Sequence, residues 1–508
     1  MKLRDLIEGI ALGNDPRTKE LLSENPEIHG ICFDSRKAQT GTLFIAIPGF
    51  VVDGKKFLAK AFAAGATLAV VDSREGVPEE FQRSCLVVPN PRRALATIAA
   101  NFFKRPTREL LLIGVTGTNG KTSCAHLLAS ILSAAGHVTA LMGTVERSYP
   151  GRREPSEHTT QESLEIQAFL RDARSAGATA AVIEVSSHAL SLDRVAECEF
   201  DAALFTNLEP DHQDFYNGME PYYLAKRSLF EGINPKTSPK KMIGIVNEMD
   251  PYGQRLLKEA QIPCFGFGEK GSDYSLSRLE SSGSAIVGVI DRKPALEIPI
   301  YSRLAATRFN LANVAACVAL AHKIGIPIPA ISAGVSALAE IPGRLTRVPT
   351  NSRVQVYVDF AHSGPKLRSV LQALRDIARG RLIAVFGAGG DKDPLRRTRM
   401  GEAAADLADI TVVTTDNPRS EDPAKIIAAI EHAWHAQQKL NSRPTKIIVE
   451  PDRERAIRLA LQMAEGDDIV CIAGKGHEQG QIVKDKVFPF DDAEVASRCL
   501  EEFAKCSP

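Results

Sequence analysis

The chain has 508 residues, of which 62 are basic and 62 are acidic, so its formal net charge at pH 7 is zero. This length predicts about three domains at ~100–200 residues per domain. The balanced charge and the lack of a long charged run give no indication of a surface that wraps nucleic acid or an anionic membrane.

The cysteines and the apolar segments bear on where the protein acts. Nine cysteines are scattered without a C-x-x-C pair, which is typical of reduced and mostly buried thiols in a cytoplasmic protein. The N-terminal stretch carries interspersed charges and lacks the apolar core of a secretion signal. Because no uninterrupted apolar segment reaches ~20 residues, we expect no membrane-spanning helix.

Residues 1–108 are predicted to form a small α/β domain. Apolar runs predict strands at 42–47, 67–71 and 86–88, and residues 56–64 have the pattern of a helix. Asp34-Ser35-Arg36 precedes the first strand, and these residues alone favour a solvated turn with an Asx-type hydrogen bond. Pro106 marks the predicted end of this domain.

The segment 110–132 has the features of a phosphate-binding loop. An apolar run of strand length is followed by a glycine-rich turn, by Lys121-Thr122 and by a helical pattern. In such a loop, backbone N–H groups face a polyphosphate, Lys121 reaches the outer phosphates and the Thr122 hydroxyl binds Mg²⁺. The strict pattern G-x-x-x-x-G-K-[ST] fails because Val115 stands at its first glycine. The predicted ATP-binding residues of the loop are Thr116, Gly117, Thr118, Asn119, Gly120, Lys121 and Thr122.

Residues 109–345 are predicted to form a central domain with a parallel sheet. Continuous apolar runs alternate with helical patterns, which indicates a sheet covered on both faces. Ligands of such sheets bind at the carboxyl ends of the strands, where polar residues cluster here. Each of these residues alone is more often a cap or a loop hydrogen bond, but together they predict magnesium and substrate ligands. The predicted strands are 111–115, 139–142, 180–185, 202–206 and 241–246, and the polar residues are Thr159, Thr160, Glu184, Ser186, Asn207, Asp211 and His212.

Three later segments of this domain carry weaker signals. Residues 222–230 have an amphipathic helical pattern, in which Lys226 alone is predicted to be a solvated lysine. Residues 275–300 alternate in the manner of β structure and receive no chemical role. Asn310 and Asn313 lie at the start of an alanine-rich helix, where they cap the helix or contact a base.

Residues 346–508 are predicted to form a third α/β domain. Polar loops again follow the apolar runs. The segment 387–390 lacks the full G-x-G-x-x-G pattern, and Gly474-Lys475 lacks the Ser or Thr of a second phosphate-binding loop. His432 and His435 are predicted surface residues. The strands are 354–358, 382–386, 409–414, 446–449 and 468–472, and the loops are 359–362, 387–393, 416–419 and 474–478.

The ordered set of motifs resembles the Mur ligases, and the resemblance extends from Asp34 to Glu478. The resemblance implies three domains: an N-terminal UDP-binding domain, a central ATPase domain and a C-terminal Rossmann-like domain. The motifs that carry it are TGTNGKT, TTQ, EVSSHAL, TNLEPDH, YYLAKRSLF, FNLAN, VDFAH, FGAGGDKD, DNPR and AGKGHE.

The resemblance also implies a reaction and its ligands. ATP and Mg²⁺ activate a D-glutamyl carboxylate of UDP-N-acetylmuramoyl-L-alanyl-D-glutamate as an acyl phosphate, and the amine of meso-diaminopimelate attacks it. It implies a monomer in which Lys121, Glu184, His212 and Lys226 are catalytic and Lys226 is carbamylated.

The resemblance assigns the remaining site residues by position. The magnesium ligands are Thr122, Glu184, His212 and Lys226. The residues that hold the UDP-linked substrate are Phe33, Ser35, Thr159, Thr160, Ser186, Leu192 and Arg194. Further nucleotide-binding residues are Asn310, Asn313, Arg344, Asp359 and His362. The diaminopimelate residues are Lys392, Asp416, Asn417, Pro418, Arg419, Gly474 and Glu478.

Four positions depart from the family pattern. Leu192 stands at a usual Gln, and Arg308 replaces a Gly before the asparagines. Lys392 replaces an Arg, so a bidentate fork becomes a point charge. Residues 50–52 are apolar in a loop that is more polar in the family. These departures affect individual substrate contacts and leave the reaction class unchanged.

Two other functions are compatible with a phosphate-binding loop. Folylpolyglutamate synthetase shares the central domain and mechanism, but the N-terminal uridine-type domain and the DNPR motif argue against it. A regulatory or transport ATPase needs neither a carboxylate substrate nor Lys226.

Overall fold

A computed structural model describes residues 1–12, 16–49, 52–212, 215–232, 237–269, 271–281, 286–292, 296–302, 304, 307–350, 352–441 and 444–506. The chain divides into two compact units. The first unit contains 1–208, 217–267 and 319–331, and the second contains 209–216, 268–318 and 332–508. The boundaries predicted after residues 108 and 345 stay predictions.

The first unit begins with a four-stranded parallel sheet in the order β1-β2-β3-β4. Leu43 and Val70 are fully buried in its core, together with Ile98 of the helix that follows β4. That helix begins at Pro91, where the Asn90 side chain accepts a hydrogen bond from the N–H of Arg93. The elements are α1 (Leu3–Leu6), α2 (Pro16–Glu24), β1 (Gly30–Cys32), β2 (Thr42–Ile45), α3 (Leu58–Ala63), β3 (Ala66–Val71), β4 (Cys85–Val87) and α4 (Pro91–Phe102).

A second sheet of the first unit has the strand order β12-β11-β10-β5-β9-β6-β7-β8. Strands β12 to β6 of this order run parallel, whereas β7 and β8 form antiparallel pairs at the edge. The strands are β5 (Leu111–Thr116), β6 (Thr139–Met142), β7 (Glu146–Tyr149), β8 (Arg152–Pro155), β9 (Ala180–Glu184), β10 (Ala202–Phe205), β11 (Ile243–Asn247) and β12 (Cys264–Gly268). The helices are α5 (Lys121–Ala134), α6 (Ser163–Ser175), α7 (Ser187–Ser191), α8 (Met219–Arg227) and α9 (Pro251–Glu259).

The second unit contains an antiparallel meander and a mostly parallel sheet. The meander consists of β13 (Tyr274–Ser281), β14 (Ile286–Arg292) and β15 (Leu296–Ser302), as the alternation in 275–300 predicts. Two helices follow in the chain, α10 (Arg308–Lys323) and α11 (Ile328–Ala337).

The mostly parallel sheet has the order β16-β17-β21-β18-β19-β20, with only β16 antiparallel to its neighbour. The fully buried Leu371 and Phe386 belong to the core on one face, and Ile457 and Val470 to the core on the other. The strands are β16 (Thr346–Val348), β17 (Gln355–Asp359), β18 (Leu382–Phe386), β19 (Ile410–Val413), β20 (Lys446–Val449) and β21 (Ile469–Ala473), with a hairpin of β22 (Gly480–Val483) and β23 (Lys486–Pro489). The helices are α12 (Gly364–Ile377), α13 (Leu395–Leu407), α14 (Pro423–Gln438), α15 (Arg453–Met463) and α16 (Asp492–Cys506).

The predicted α/β strands are confirmed, mostly within two residues at each end. The helix predicted at 56–64 is shorter, because its first turn is the 3₁₀ segment Gly54–Phe57. Further 3₁₀ segments are Ser35–Lys37, Glu79–Ser84, Pro106–Glu109 and Ser228–Phe230.

Two predictions about composition can be compared with the described residues. Eight cysteines are described with free thiols, and all but Cys264 are buried, as their scattered placement predicts. None of the described helices combines the length and the apolar character needed to cross a membrane.

Candidate active site

The phosphate-binding loop of the first unit connects β5 to α5. Its glycines are conformationally required, since Gly117 has φ of 144° and Gly120 has φ of 83°. A Cβ at Gly117 would lie 1.8 Å from Thr206 Oγ1, at the end of β10. The backbone turn therefore packs directly on a neighbouring strand, which leaves no space for a side chain.

Hydrogen bonds hold the loop in shape. Lys121 Nζ donates to the carbonyls of Gly117 (2.8 Å) and Thr118 (2.9 Å). The Thr118 N–H donates to the Asn207 carbonyl at 2.9 Å, and the Asn119 N–H donates to Asn207 Oδ1 at 2.9 Å. Asn207 thus braces the loop, whereas its place after a predicted strand had grouped it with the magnesium and substrate ligands.

Glu184 at the end of β9 lies beside the start of α5. Its carboxylate is buried and accepts from Thr122 Oγ1 at 3.1 Å and from the N–H and hydroxyl of Thr144 at 2.8 and 3.0 Å. The Thr144 hydroxyl also lies 3.1 Å from Thr159 Oγ1. Thr144 was not among the predicted site residues, although it follows strand β6 at the same edge of the sheet.

The predicted residues Thr122 and Glu184 fit a magnesium ion chemically. Both present hard oxygen atoms, the donors that Mg²⁺ prefers, and these oxygens already lie within hydrogen-bond distance of each other. Among the residues that the structure describes, no group of three His, Cys, Asp or Glu side chains forms a metal cluster by itself.

Lys226 is buried, so the prediction of a solvated lysine from its helical pattern is wrong. Its side chain is 1% exposed, its Nζ donates to the Gly117 carbonyl at 2.8 Å and lies 4.8 Å from the centroid of the Tyr222 ring. The reason is its helical spacing, because residues four apart share a face and Tyr222 is buried. The Tyr222 hydroxyl is in turn 3.0 Å from Thr118 Oγ1, so Lys226 lies next to the phosphate-binding loop.

Three of the residues predicted to hold the UDP-linked substrate, Thr160, Ser186 and Arg194, form one hydrogen-bonded group. Thr160 Oγ1 donates to the Glu184 carbonyl at 2.7 Å and accepts from the Ser186 N–H at 3.0 Å. Arg194 donates to the Thr160 carbonyl at 2.9 Å, and its guanidinium pairs with Glu162 at 2.9 Å. Leu192, the position of the departure from the family pattern, is half-buried directly after α7.

Phe33 and Ser35 follow strand β1 in the N-terminal sheet. Asp34 accepts from the Arg36 N–H at 2.9 Å, which confirms the predicted Asx-type turn. The hydrogen bonds from Arg36 lower the pKa of Asp34 to about 2, and Ser35 is buried. Of the apolar loop at 50–52, only Val52 lies within the described residues, and it is exposed.

The second unit contains the predicted nucleotide residues of the C-terminal half. Asp359 Oδ2 accepts from the Leu345 N–H at 2.9 Å, and the Arg344 guanidinium lies 5.3 Å from the centroid of the Phe360 ring. Burial raises the pKa of Asp359 and holds the pKa of His362 well below its usual value. Within the described part of this unit, His212 has a left-handed backbone with φ of 52°, and its neighbour Asp211 pairs with Lys366 at 3.5 Å.

The two asparagines predicted near the start of an alanine-rich helix lie inside α10. The Asn310 N–H donates to Thr307 Oγ1 at 3.4 Å, so Thr307 provides the cap. Asn310 and Asn313 are both buried. Thr307, and neither asparagine, occupies the N-cap position, and both the capping role of the asparagines and their contact with a base stay predictions.

A cavity of about 210 Å³ lies at the carboxyl ends of the strands in the second unit. All the predicted diaminopimelate residues except Pro418 line it, and Pro418 lies between two that do. His362, predicted as a nucleotide residue, lines the same cavity. Its lining residues are Phe360, His362, Ala388, Gly389, Lys392, Arg396, Asp416, Asn417, Arg419, Gly474 and Glu478.

The cavity presents charges of both signs. Arg419 Nη1 donates to the Gly390 carbonyl at 2.9 Å, and the Arg419 backbone exchanges hydrogen bonds with Ile482 and Lys484 of the hairpin. Asn417 Nδ2 donates to Glu478 Oε2 at 2.8 Å. Burial raises the pKa of Glu478. The cavity can therefore contact a ligand that carries both carboxylate and ammonium groups.

The chain matches three family models in succession. Residues 27–103 match the model described as "Mur ligase family, catalytic domain". Residues 115–321 match the "Mur ligase middle domain", and residues 343–476 match the "Mur ligase, glutamate ligase domain".

Curated relatives and solved structures match over nearly the full length. UDP-N-acetylmuramoyl-L-alanyl-D-glutamate–2,6-diaminopimelate ligase of Caldanaerobacter subterraneus subsp. tengcongensis is 37% identical over 511 residues, covering 99% of this chain and 100% of the relative. The protein of the same name from Gloeobacter violaceus is 41% identical and covers 94% of each chain. A solved structure of a ligase with this name has a TM-score of 0.68 and 28% identity, and covers 100% of both chains.

Proposed function

Because the chain belongs to the Mur ligase family, we propose that it adds meso-2,6-diaminopimelate to UDP-N-acetylmuramoyl-L-alanyl-D-glutamate at the expense of ATP. This step extends the peptide of the peptidoglycan precursor. The observation that carries the proposal is a full-length match to ligases of that name in a chain whose C-terminal cavity has Arg419 and Glu478 in its lining.

The reaction proceeds through an acyl phosphate. A carboxylate oxygen of the D-glutamyl residue attacks the γ-phosphorus of ATP, and ADP leaves. The neutral amine of diaminopimelate then attacks the acyl carbon, phosphate departs and the ammonium formed loses a proton. Phosphorylation is needed because a free carboxylate has a poor leaving group.

The phosphate-binding loop brings the nucleotide and the carboxylate together despite their like charge. Lys121, which now binds two loop carbonyls, turns its ammonium toward the outer phosphates. Thr122 and Glu184 would hold a bound Mg²⁺, which would neutralise phosphate charge. His212 as a further ligand, and Asn310, Asn313, Arg344, Asp359 and His362 as nucleotide contacts, stay predictions from the family resemblance.

The UDP-linked substrate binds to the hydrogen-bonded group of residues around Thr160 in the first unit. Ser186 and Thr159 offer hydroxyls and Arg194 a guanidinium, which suit phosphate and carboxylate groups. The roles of Phe33, Ser35 and Leu192 in binding this substrate stay predictions, because they rest only on the match of these residues to positions in the family. The domain limits 1–108, 109–345 and 346–508, a monomeric state and a cytoplasmic location also stay predictions.

The proposed activity is tested by phosphate release with each substrate omitted in turn. We expect release only when ATP, the UDP-linked dipeptide and diaminopimelate are all present. Release that needs a folate and glutamate instead would favour a folylpolyglutamate synthetase. Release that needs neither carboxylate substrate would favour a regulatory or transport ATPase.

We also propose that Lys226 is carbamylated. Its amine adds to CO₂, loses a proton and becomes a carbamate, which is carboxylate-like and suited to a hard cation. Its burial beside the phosphate-binding loop supports this role, since an ammonium there would repel Mg²⁺. Crystals grown with ATP, magnesium and bicarbonate are expected to show three additional atoms on Nζ of Lys226 at high resolution. Lys121 in the same crystals serves as the unmodified control, and a bare Lys226 amine would refute the proposal.

A further inference from the structure

We propose that Lys475 is a positioning residue for the amino-acid cavity, where it fixes the side-chain amide of Asn417 and thereby holds Glu478 toward the ligand. This inference rests on the proposed function of the cavity as the diaminopimelate site. In the sequence, Gly474-Lys475 resembles a second phosphate-binding loop but lacks its Ser or Thr, so no role was predicted for Lys475.

Lys475 is enclosed directly behind the cavity lining. Its side chain is 0% exposed, and its Nζ donates to Asn417 Oδ1 at 2.8 Å and to the Gly480 carbonyl at 2.6 Å. The same nitrogen lies 3.7 Å from Glu478 Oε2 and 4.0 Å from Asp416 Oδ1. Three cavity residues therefore share one buried cation.

The amide of Asn417 can take only one orientation in this arrangement. Its Oδ1 accepts from Lys475 Nζ and from the Ile482 N–H at 2.9 Å. An ammonium and a backbone N–H are donors only, so neither can accept from the amide nitrogen. The nitrogen must therefore point away from both, and it donates to Glu478 Oε2 at 2.8 Å.

The orientation of Asn417 determines what Glu478 presents to a ligand. With one oxygen held by Asn417, the Glu478 carboxylate faces the cavity, where its side chain is 35% exposed. Two carboxylates, Asp416 and Glu478, lie within 4.0 Å of the single ammonium of Lys475. The carboxylate of Glu478 in the cavity lining attracts the ammonium of an amino acid.

The directions in which the pKa values of Lys475 and Glu478 are shifted agree with this arrangement. Burial lowers the pKa of Lys475, and the neighbouring carboxylates oppose that effect. Burial raises the pKa of Glu478, and the charge of Lys475 opposes that effect. Each group therefore favours the charged form of the other, so the loss of Lys475 changes both the geometry and the charge of Glu478.

A purely structural role would have different consequences. Through the Gly480 carbonyl, Lys475 also anchors the first residue of strand β22. If anchoring were its whole purpose, replacement would lower thermal stability and affect all substrates alike. A positioning role instead acts on the amino acid alone.

The test is steady-state kinetics of the full chain carrying Lys475→Met, with ATP, the UDP-linked dipeptide and diaminopimelate varied in turn. We expect the KM for diaminopimelate to rise about tenfold to a hundredfold, as for a lost hydrogen bond to a charged group. The other two KM values and kcat should stay within about threefold. The exposed Lys486→Met on β23 is the matched control and should resemble wild type.

A double-mutant cycle shows whether Lys475 acts through Asn417. In an Asn417→Ala background, Lys475→Met should change the KM for diaminopimelate by less than about threefold, because the amide is already gone. Independent, multiplicative effects would overturn the proposal. An equal change in all three KM values, or a lower melting temperature with normal kinetics, would overturn it as well.

A second variant keeps the proposal testable if Lys475→Met does not fold. Asn417→Asp retains acceptors for Lys475 and Ile482 but turns a carboxylate oxygen toward Glu478. We expect a higher KM for diaminopimelate at a normal melting temperature. An unchanged KM would overturn the positioning role of Lys475 but would leave the proposed function of the cavity standing. If the wild-type enzyme does not use diaminopimelate as a substrate, the proposed function and this inference are both wrong.

Discussion

Replacing Lys121 by alanine is expected to lower kcat by roughly a hundredfold to a thousandfold, equivalent to ~3–4 kcal/mol of transition-state stabilisation. The variant loses the ammonium that neutralises the transferring phosphoryl group. The fold should persist, because Asn207 braces the loop through the backbone N–H groups of Thr118 and Asn119. The measurement is ATP-dependent amide formation together with the melting temperature.

The exposed Lys258→Ala on α9 is the matched control for the loss of a lysine in the first unit. It should ligate at the wild-type rate. Near-normal turnover of Lys121→Ala would show that the loop between β5 and α5 does not bind the reacting phosphates.

Replacing Arg419 by alanine is expected to lower kcat/KM for diaminopimelate about thirtyfold to several thousandfold and to leave kcat/KM for lysine, which we expect to be low in wild type, unchanged. Diaminopimelate carries a distal carboxylate that lysine lacks, and a guanidinium grips such a group through two hydrogen bonds. Leaving one partner of a buried charge pair without the other costs ~2–5 kcal/mol. The measurement is kcat/KM for both amino acids in wild type and variant.

Arg419 also binds the Gly390 carbonyl through Nη1, so it braces the loop at 387–393 as well as lining the cavity. Its backbone bonds to Ile482 and Lys484 remain in the alanine variant, which should preserve the fold. Arg498→Ala removes a half-exposed arginine paired with Glu454 and is the matched control. If kcat/KM for the two amino acids is equal in wild type, or falls by the same factor in Arg419→Ala, Arg419 only braces the loop and does not select the substrate.

The strands that continuous apolar runs specify were predictable from the sequence. The bounds of Thr139–Met142, Leu382–Phe386 and Lys446–Val449 agree with the predicted strands to the residue. Continuous apolar runs predict buried parallel strands without knowledge of their neighbours. The same reasoning places Glu184 and Asp416 at strand ends, because polar residues interrupt the apolar pattern there.

The contacts between distant segments were not predictable in this way. Lys226 stands in an amphipathic helical pattern that does not show which face is buried, and only the burial of Tyr222 and the hydrogen bond to the Gly117 carbonyl show that Lys226 faces inward. Thr144 and Glu184 are 40 residues apart in the chain. The role proposed for Lys475 depends on its hydrogen bond to Asn417, which lies 58 residues away in the chain. Single-sequence patterns carry no information on which remote group completes such a pair.

The central claim, ATP-driven amide formation through an acyl phosphate, is tested most directly by isotope transfer. The D-glutamyl carboxylate of the UDP-linked dipeptide is labelled with ¹⁸O at both oxygens, and released phosphate and amide product are analysed by mass spectrometry. An acyl-phosphate route predicts one ¹⁸O in the phosphate and one in the new amide for every turnover. Unlabelled phosphate, or phosphate released without a diaminopimelate-containing product, would contradict it.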